Sequence, residues 1–227
     1  KEWWGNGDSV TLITRPRRFG KTLTMNMLER FFSIKYAGQG ELFENLAIWK
    51  EPEYREIQGT YPVISLTFAT VKQNSYEDVK QMIWQIIVDV YQSHYYVRDS
   101  EALTETDREY FDRVSWDMSE GDAAYALHKL SQFLYQYYGK KVIILLDEYD
   151  TPMQEAYVNG FWNQMAGFIR NLFNATFKTN PYLERSIMTG ITRISKESIF
   201  SDLNNLEVIT GTSNKYADIF GFTEEEV

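Results

Sequence analysis

The sequence predicts a three-layer α/β/α fold built around a mostly parallel, five-stranded sheet. Three observations carry this expectation. Short apolar runs alternate along the chain with segments of helical periodicity, the order that βαβ units produce. The run Val142-Ile143-Ile144-Leu145-Leu146 is apolar throughout and bounded by charge, as a strand covered on both faces must be. A Gly-Lys-Thr triplet at Gly20, Lys21 and Thr22 stands between an apolar strand and an apolar-periodic helix.

The elements follow in order. Strands are expected at 9–14, 62–68, 142–147, 186–191 and 206–210. A helix is expected near 21–33, followed by a looser stretch containing Gly38, Gly40 and Pro52. The segment 75–91 reads as a long helix: Val79, Met82, Ile83, Ile86, Ile87 and Val90 recur at helical spacing and predict a core-facing stripe. The polar segment 97–121 reads as a loop or insertion. Asp122 is a candidate cap for a helix running to Tyr138 and stopped by Gly139. A further helix over 161–178 ends before Asn180-Pro181. The tyrosines at 95, 96, 135, 137 and 138 lack an interleaved basic run, so packing between elements is the favoured reading over base stacking.

Composition bounds the function. A chain of 227 residues, 44% of them hydrophobic, can bury a full core as one α/β domain. With no cysteine and two histidines, disulfides, thiolate metal sites and multi-histidine centres are excluded or disfavoured. A net charge of −9 disfavours direct nucleic-acid binding by this domain. No run is long and apolar enough for a membrane span and no secretory signal is visible, so a cytoplasmic location is expected.

Two motifs carry chemistry. The first is Thr14-Arg15-Pro16-Arg17-Arg18-Phe19-Gly20-Lys21-Thr22. Amide groups of such a loop and the positive end of the following helix form a concave anion site. Arg17, Arg18, Phe19, Gly20, Lys21, Thr22 and Leu23 are the candidate nucleotide-binding residues, Lys21 for the β- and γ-phosphates and Thr22 for Mg²⁺. The usual first glycine is replaced by Arg15, which Pro16 biases towards extended geometry. Arg15 therefore either adds charge to the phosphates or pairs with an acid such as Asp150, with a slight preference for the structural role. The second motif, Asp147-Glu148, ends the apolar strand. Asp147 is the candidate Mg²⁺ residue, and Glu148 the candidate base for an attacking water. Together the motifs predict a P-loop protein that takes a nucleoside triphosphate and Mg²⁺.

These residues also resemble a family. The two motifs, with Leu146-Asp147-Glu148-Tyr149-Asp150-Thr151-Pro152, Thr189-Gly190-Ile191-Thr192-Arg193 and Gly221-Phe222-Thr223-Glu224-Glu225-Glu226-Val227, are similar to the bacterial AAA-ATPase-like proteins. The loop is also similar to that of archaeal and STAND-type ATPases, commonly Gly-Pro-Arg-Arg-x-Gly-Lys-Thr, with the leading glycine changed to Arg15. The resemblance implies an ASCE/AAA-like P-loop fold, ATP binding with hydrolysis, and a C-terminal effector domain of the nuclease-like PD-(D/E)XK type. In ASCE-type ATPases an extra strand lies between the loop strand and the acid-bearing strand. Its polar end senses the γ-phosphate, making Thr189, Thr192 and Arg193 candidates, with Arg193 also a candidate catalytic residue. For Arg193 a structural ion pair with Asp150 or Glu197 stands as the alternative. Asp150 is a candidate partner for a loop arginine, Tyr149, Thr151 and Pro152 are expected to shape the loop, and Trp3 and Trp4 either cover an adenine or anchor the terminus.

The chain begins at Lys1 and stops inside a candidate capping box at 223–226. The expected organisation is an ATPase domain over 1–222 and the start of a further C-terminal region at 223–227, in a fragment of a longer protein. Two function classes follow: an ATPase that drives or resets an attached effector, and a nucleotide-gated switch that binds ATP with little turnover. Oligomer formation is open in both.

Overall fold

A computed structural model describes residues 1–216 apart from Asn6, Asp8, Thr179, residues 195–198, Ser201 and Asn204. The expected domain boundary at 222/223 and Glu197 lie outside the described residues. The chain folds as α1 (Glu2–Gly5), β1 (Val10–Thr14), α2 (Lys21–Phe32), α3 (Pro52–Ile57), β2 (Val63–Thr67), α4 (Tyr76–Ser93), α5 (Tyr95–Arg98), α6 (Glu105–Arg113), α7 (Glu120–Tyr138), β3 (Val142–Asp147), α8 (Thr151–Asn159), α9 (Trp162–Phe173), β4 (Leu183–Gly190) and β5 (Leu206–Ile209).

The strands form one sheet in the order β2-β3-β4-β1-β5, and every pairing is parallel. This is the α/β architecture of a P-loop NTPase-like fold, with β4 inserted between β1 and β3. The run 142–146 is buried on both faces because alternate residues serve opposite layers. Val142, Ile144 and Leu146 meet the core under α4, α7 and α9, whereas Ile143 and Leu145 meet the core under α2. Parallel pairing brings every strand's carboxyl end to the same edge of the sheet, where α/β folds place their ligand sites.

The long stripe of α4 is core-facing: Val79, Ile83, Ile87 and Val90 are buried. Three expectations need correction. The segment 97–121 is not simply a loop, because Thr104 and Asp107 form a capping box that opens α6, and Tyr110 and Phe111 are buried from it. Phe111 lies with its ring centre 4.8 Å from that of Tyr91. Helix α7 is capped by Ser119, whose side chain accepts from the amide of Asp122; Asp122 is not the cap. The helix expected over 161–178 runs as an α-helix only to Phe173 and continues over Asn174–Lys178 with the wider π spacing.

The tyrosines join elements, as expected. The hydroxyls of Tyr96 and Tyr138 lie 2.8 Å apart between α5 and α7, and Tyr95 meets Phe111 edge-on.

Candidate active site

Strand β1 ends at Thr14 and α2 starts at Lys21, so residues 15–20 form a connecting loop at the carboxyl edge. Two residues of this loop take left-handed backbone geometry, Arg18 at φ 68° and Gly20 at φ 74°. At Gly20 this costs nothing; at Arg18 it costs about 1 kcal/mol or more. Gly20 is the N-cap of α2, and no side chain caps the helix. The first-turn amides, with the helix dipole behind them, are thus available to an anion. Arg17, Arg18 and Phe19 are exposed around this turn. Leu23 also points outward, 74% exposed, so its amide rather than its side chain would serve a phosphate.

Lys21 is buried at the root of the loop. Its ammonium donates to the carbonyl of Pro16 at 3.2 Å and lies 3.5 Å from Glu148 Oε1. One residue on, the Thr22 hydroxyl donates to Asp147 Oδ2 at 2.6 Å. On its other side the same carboxylate accepts from the buried hydroxyl of Thr189. Asp147 is therefore held from two sides, by the start of α2 and by β4. The structure brings Gly20, Lys21, Thr22, Asp147, Glu148 and Thr189 together at one edge.

Glu148 turns through the left-handed region at φ 53°, a cost of about 1–2 kcal/mol for a residue with a β-carbon. The turn separates the acids by direction: Glu148 stays partly exposed beside Lys21, and Tyr149 and Asp150 are fully buried. Burial raises the Glu148 pKa above the ordinary carboxylate range. Asp147 and Asp150 push the same way, and Lys21 opposes them.

Several residues stand elsewhere than expected. Asp150 holds no loop arginine; its Oδ2 accepts from the amides of Ile191 and Thr192 and from the Thr192 hydroxyl. Thr192 therefore turns its hydroxyl to Asp150, away from a sensing position. Arg15 is buried and donates to main-chain carbonyls, that of Thr14 at 3.0 Å and those of Ile209 and Tyr216 at 3.4 Å. It ties the loop to the end of β5 instead of pairing with Asp150. Arg193 is exposed on the segment after β4, close enough to Tyr149 for its charge to act on that hydroxyl. Thr151 and Pro152 open α8, with proline in the first helical turn where it lacks no bond.

The terminal tryptophans pack onto α2. Trp3 donates its ring N–H to Thr11 Oγ1 at 3.2 Å, and Trp4 stacks on Phe32 at 4.9 Å. Both also line an apolar cavity of about 930 Å³ whose rim on α2 begins at Thr24. Among the described residues no cluster of three or more His, Cys, Asp or Glu could hold a metal. The Thr22–Asp147 pair matches instead the sparse protein ligation that Mg²⁺ takes when phosphates and waters complete its shell. No described helix is long and apolar enough to cross a membrane.

The chain is 25% identical over 216 residues to an "Uncharacterized protein in vnfD 5'region" from Azotobacter chroococcum mcd 1, covering 95% of this chain and 36% of that protein. The chain thus spans about a third of that relative's length. No solved structure matches it significantly. The family described as Predicted AAA-ATPase matches residues 5–200, and the chain belongs to this family.

Proposed function

We propose that the chain binds Mg²⁺-ATP at the start of α2 and hydrolyses it to ADP and phosphate, driving or resetting an attached effector. The observation that carries this is the double meeting at the sheet edge: Thr22 with Asp147 at 2.6 Å, and Lys21 with Glu148 at 3.5 Å. Those are the partners that phosphate binding, Mg²⁺ binding and water activation require.

The uncapped amides of α2 and Lys21 hold the β- and γ-phosphates, with Arg17 and Arg18 adding charge from outside. When bound between Thr22, Asp147 and the phosphates, Mg²⁺ would neutralise charge on the phosphate oxygens. Glu148 accepts a proton from the attacking water as its oxygen bonds to the γ-phosphorus and the bond to the β–γ bridging oxygen breaks. Its raised pKa makes it a stronger base than an ordinary carboxylate. Arg193 offers charge stabilisation to the transferred phosphoryl group. The cavity beginning at Thr24, two residues past Thr22, offers apolar surface to the base. For the effector, the resemblance to the AAA-ATPase-like family makes a nuclease-like PD-(D/E)XK domain the first candidate.

Steady-state phosphate release from Mg²⁺-ATP tests the reading, with Asp147→Asn as the partner variant. Release by the wild type and its loss in Asp147→Asn are expected. Turnover that survives Asp147→Asn overturns the assigned site, and tight binding with no turnover in the wild type favours a nucleotide-gated switch.

A further inference from the structure

Asp150 stands at the N-cap of α8, where an aspartate ordinarily accepts from amides of its own first turn. It makes no such bond. Its Oδ2 instead accepts from the Ile191 amide at 3.1 Å, the Thr192 amide at 2.8 Å and the Thr192 hydroxyl at 2.7 Å. Gln154, one turn into α8, donates to the same oxygen at 2.7 Å. Tyr149 acts on the same segment. Its hydroxyl donates to the Thr192 carbonyl at 2.8 Å and accepts from the Ile194 amide at 3.2 Å. Its own amide donates to the Thr189 carbonyl at 2.9 Å.

Gly190 makes this closeness possible. A β-carbon there would lie 2.5 Å from Asp150 Oδ1 and 2.7 Å from the Tyr149 ring, nearer than any side chain tolerates. The ring is fixed in turn, with Phe173 and Phe200 at centre distances of 6.4 and 5.6 Å. Four consecutive residues thus divide their work. Asp147 and Glu148 face Thr22 and Lys21, while Tyr149 and Asp150 grip the segment that joins Thr189 to Arg193.

We propose that Tyr149 and Asp150 are a latch: positioning residues that fix residues 190–194 to the acid-bearing strand end. Thr189 and Arg193 thereby take a set place relative to Asp147 and Glu148 during hydrolysis. The inference rests on the ATPase reading above. A buried carboxylate that caps no amide of its own helix and gathers three donors from a neighbouring strand's exit is built for that connection, since each donor left unpaired would be costly. Because the gripping residues directly follow the acids, a shift of the β3 end moves the Arg193 segment with it.

The test uses Tyr149→Phe, which keeps the packed ring and removes both hydroxyl bonds, and Gly190→Ala, which wedges the grip apart. With the fold intact by circular dichroism, each is expected to lower kcat by about tenfold while KM for Mg²⁺-ATP stays within about twofold. In an Arg193→Ala background, Tyr149→Phe should add clearly less than its own tenfold loss, the remainder acting through Thr189; fully additive losses would overturn the latch. Hydrogen exchange gives a readout that needs no turnover. Amides at 191–194 should exchange about tenfold faster in Tyr149→Phe while those of β1 are unchanged, and equal exchange there overturns the proposal. If the wild type binds Mg²⁺-ATP without hydrolysing it, the ATPase reading fails separately, and nucleotide-induced protection of 190–194 decides the latch. Protection in the wild type that is lost in Tyr149→Phe supports it; equal protection in both, or none in the wild type, overturns it.

Discussion

The loop at 15–20 and the strand end at 147–150 meet at one sheet edge but are built in opposite ways. Residues 16–20 are exposed, and their shape comes from backbone geometry, with Arg18 and Gly20 left-handed before an uncapped helix. At the strand end, Asp147, Tyr149 and Asp150 are buried, and each is held by side-chain hydrogen bonds. The difference teaches where each task resides. On the proposed reading, anion binding is carried by amides and by one well-placed cation, so most loop side chains should change at small cost. On the same reading, water activation relies on a side-chain network fixed in advance, where a single change should propagate. Arg15 in the loop and Lys21 at the start of α2 break the pattern, since both are buried.

The largest effect should come from the network side. Glu148→Gln is expected to retain Mg²⁺-ATP binding and to lower turnover by about a hundredfold or more, measured as phosphate release. Turnover equal to the wild type would mean that the base lies elsewhere. In the wild type, kcat/KM should rise with pH through a value above the ordinary carboxylate range, because Glu148 must be ionised to accept a proton and burial raises its pKa in the free protein.

The same shift has a stability consequence of opposite sign. A folded-state pKa above the unfolded value means that the folded chain binds more protons in between. The stabilisation is then complete below the unfolded value and is lost as pH rises through the folded one. Ionised Glu148 is therefore a cost at neutral pH, and Glu148→Gln should melt higher than the wild type there. That advantage should shrink as pH falls towards about 4. A constant difference in Tm across the range would contradict the assigned burial effect.

Arg15 sharpens the comparison from the loop side. Because it bonds to main-chain carbonyls of Thr14, Ile209 and Tyr216, Arg15→Gly and Arg15→Ala should each cost about 1–3 kcal/mol. That would appear as a Tm lower by several degrees, with the nucleotide affinity of the folded protein spared. Lost affinity at unchanged Tm would make Arg15 a phosphate ligand. The smallest effect is expected at exposed Arg17, where Arg17→Ala should weaken Mg²⁺-ATP binding by less than about tenfold, more at low salt than at high. Calorimetric titration at two ionic strengths checks this.

Much of the fold was legible because burial on both faces of a parallel sheet writes itself as an apolar run, as at 142–146, and a core stripe as helical spacing, as at 79–90. Helix α6 was obscured because it buries only a small apolar face, Tyr110 and Phe111, within a polar segment. Its Thr104–Asp107 box was the available signal. Thr151-Pro152 read as a loop although proline opens α8. In the site, the meeting of residues 21–22 with 147–148 was legible because both motifs directly adjoin the carboxyl ends of strands in one parallel sheet. The grip of Tyr149 and Asp150 on 191–194 was not. It depends on the register of β4 beside β3 and on Gly190 sitting against Tyr149 and Asp150, contacts between segments about 40 residues apart that no local pattern announces.

The central claim is that the loop and the start of α2 bind Mg²⁺-ATP through Lys21. Calorimetric titration of the wild type and of Lys21→Ala with Mg²⁺-ATP, the folds matched by circular dichroism, tests it most directly. The account predicts a saturable binding heat in the wild type and affinity at least about a hundredfold weaker in Lys21→Ala. Equal affinity in the two proteins would contradict it.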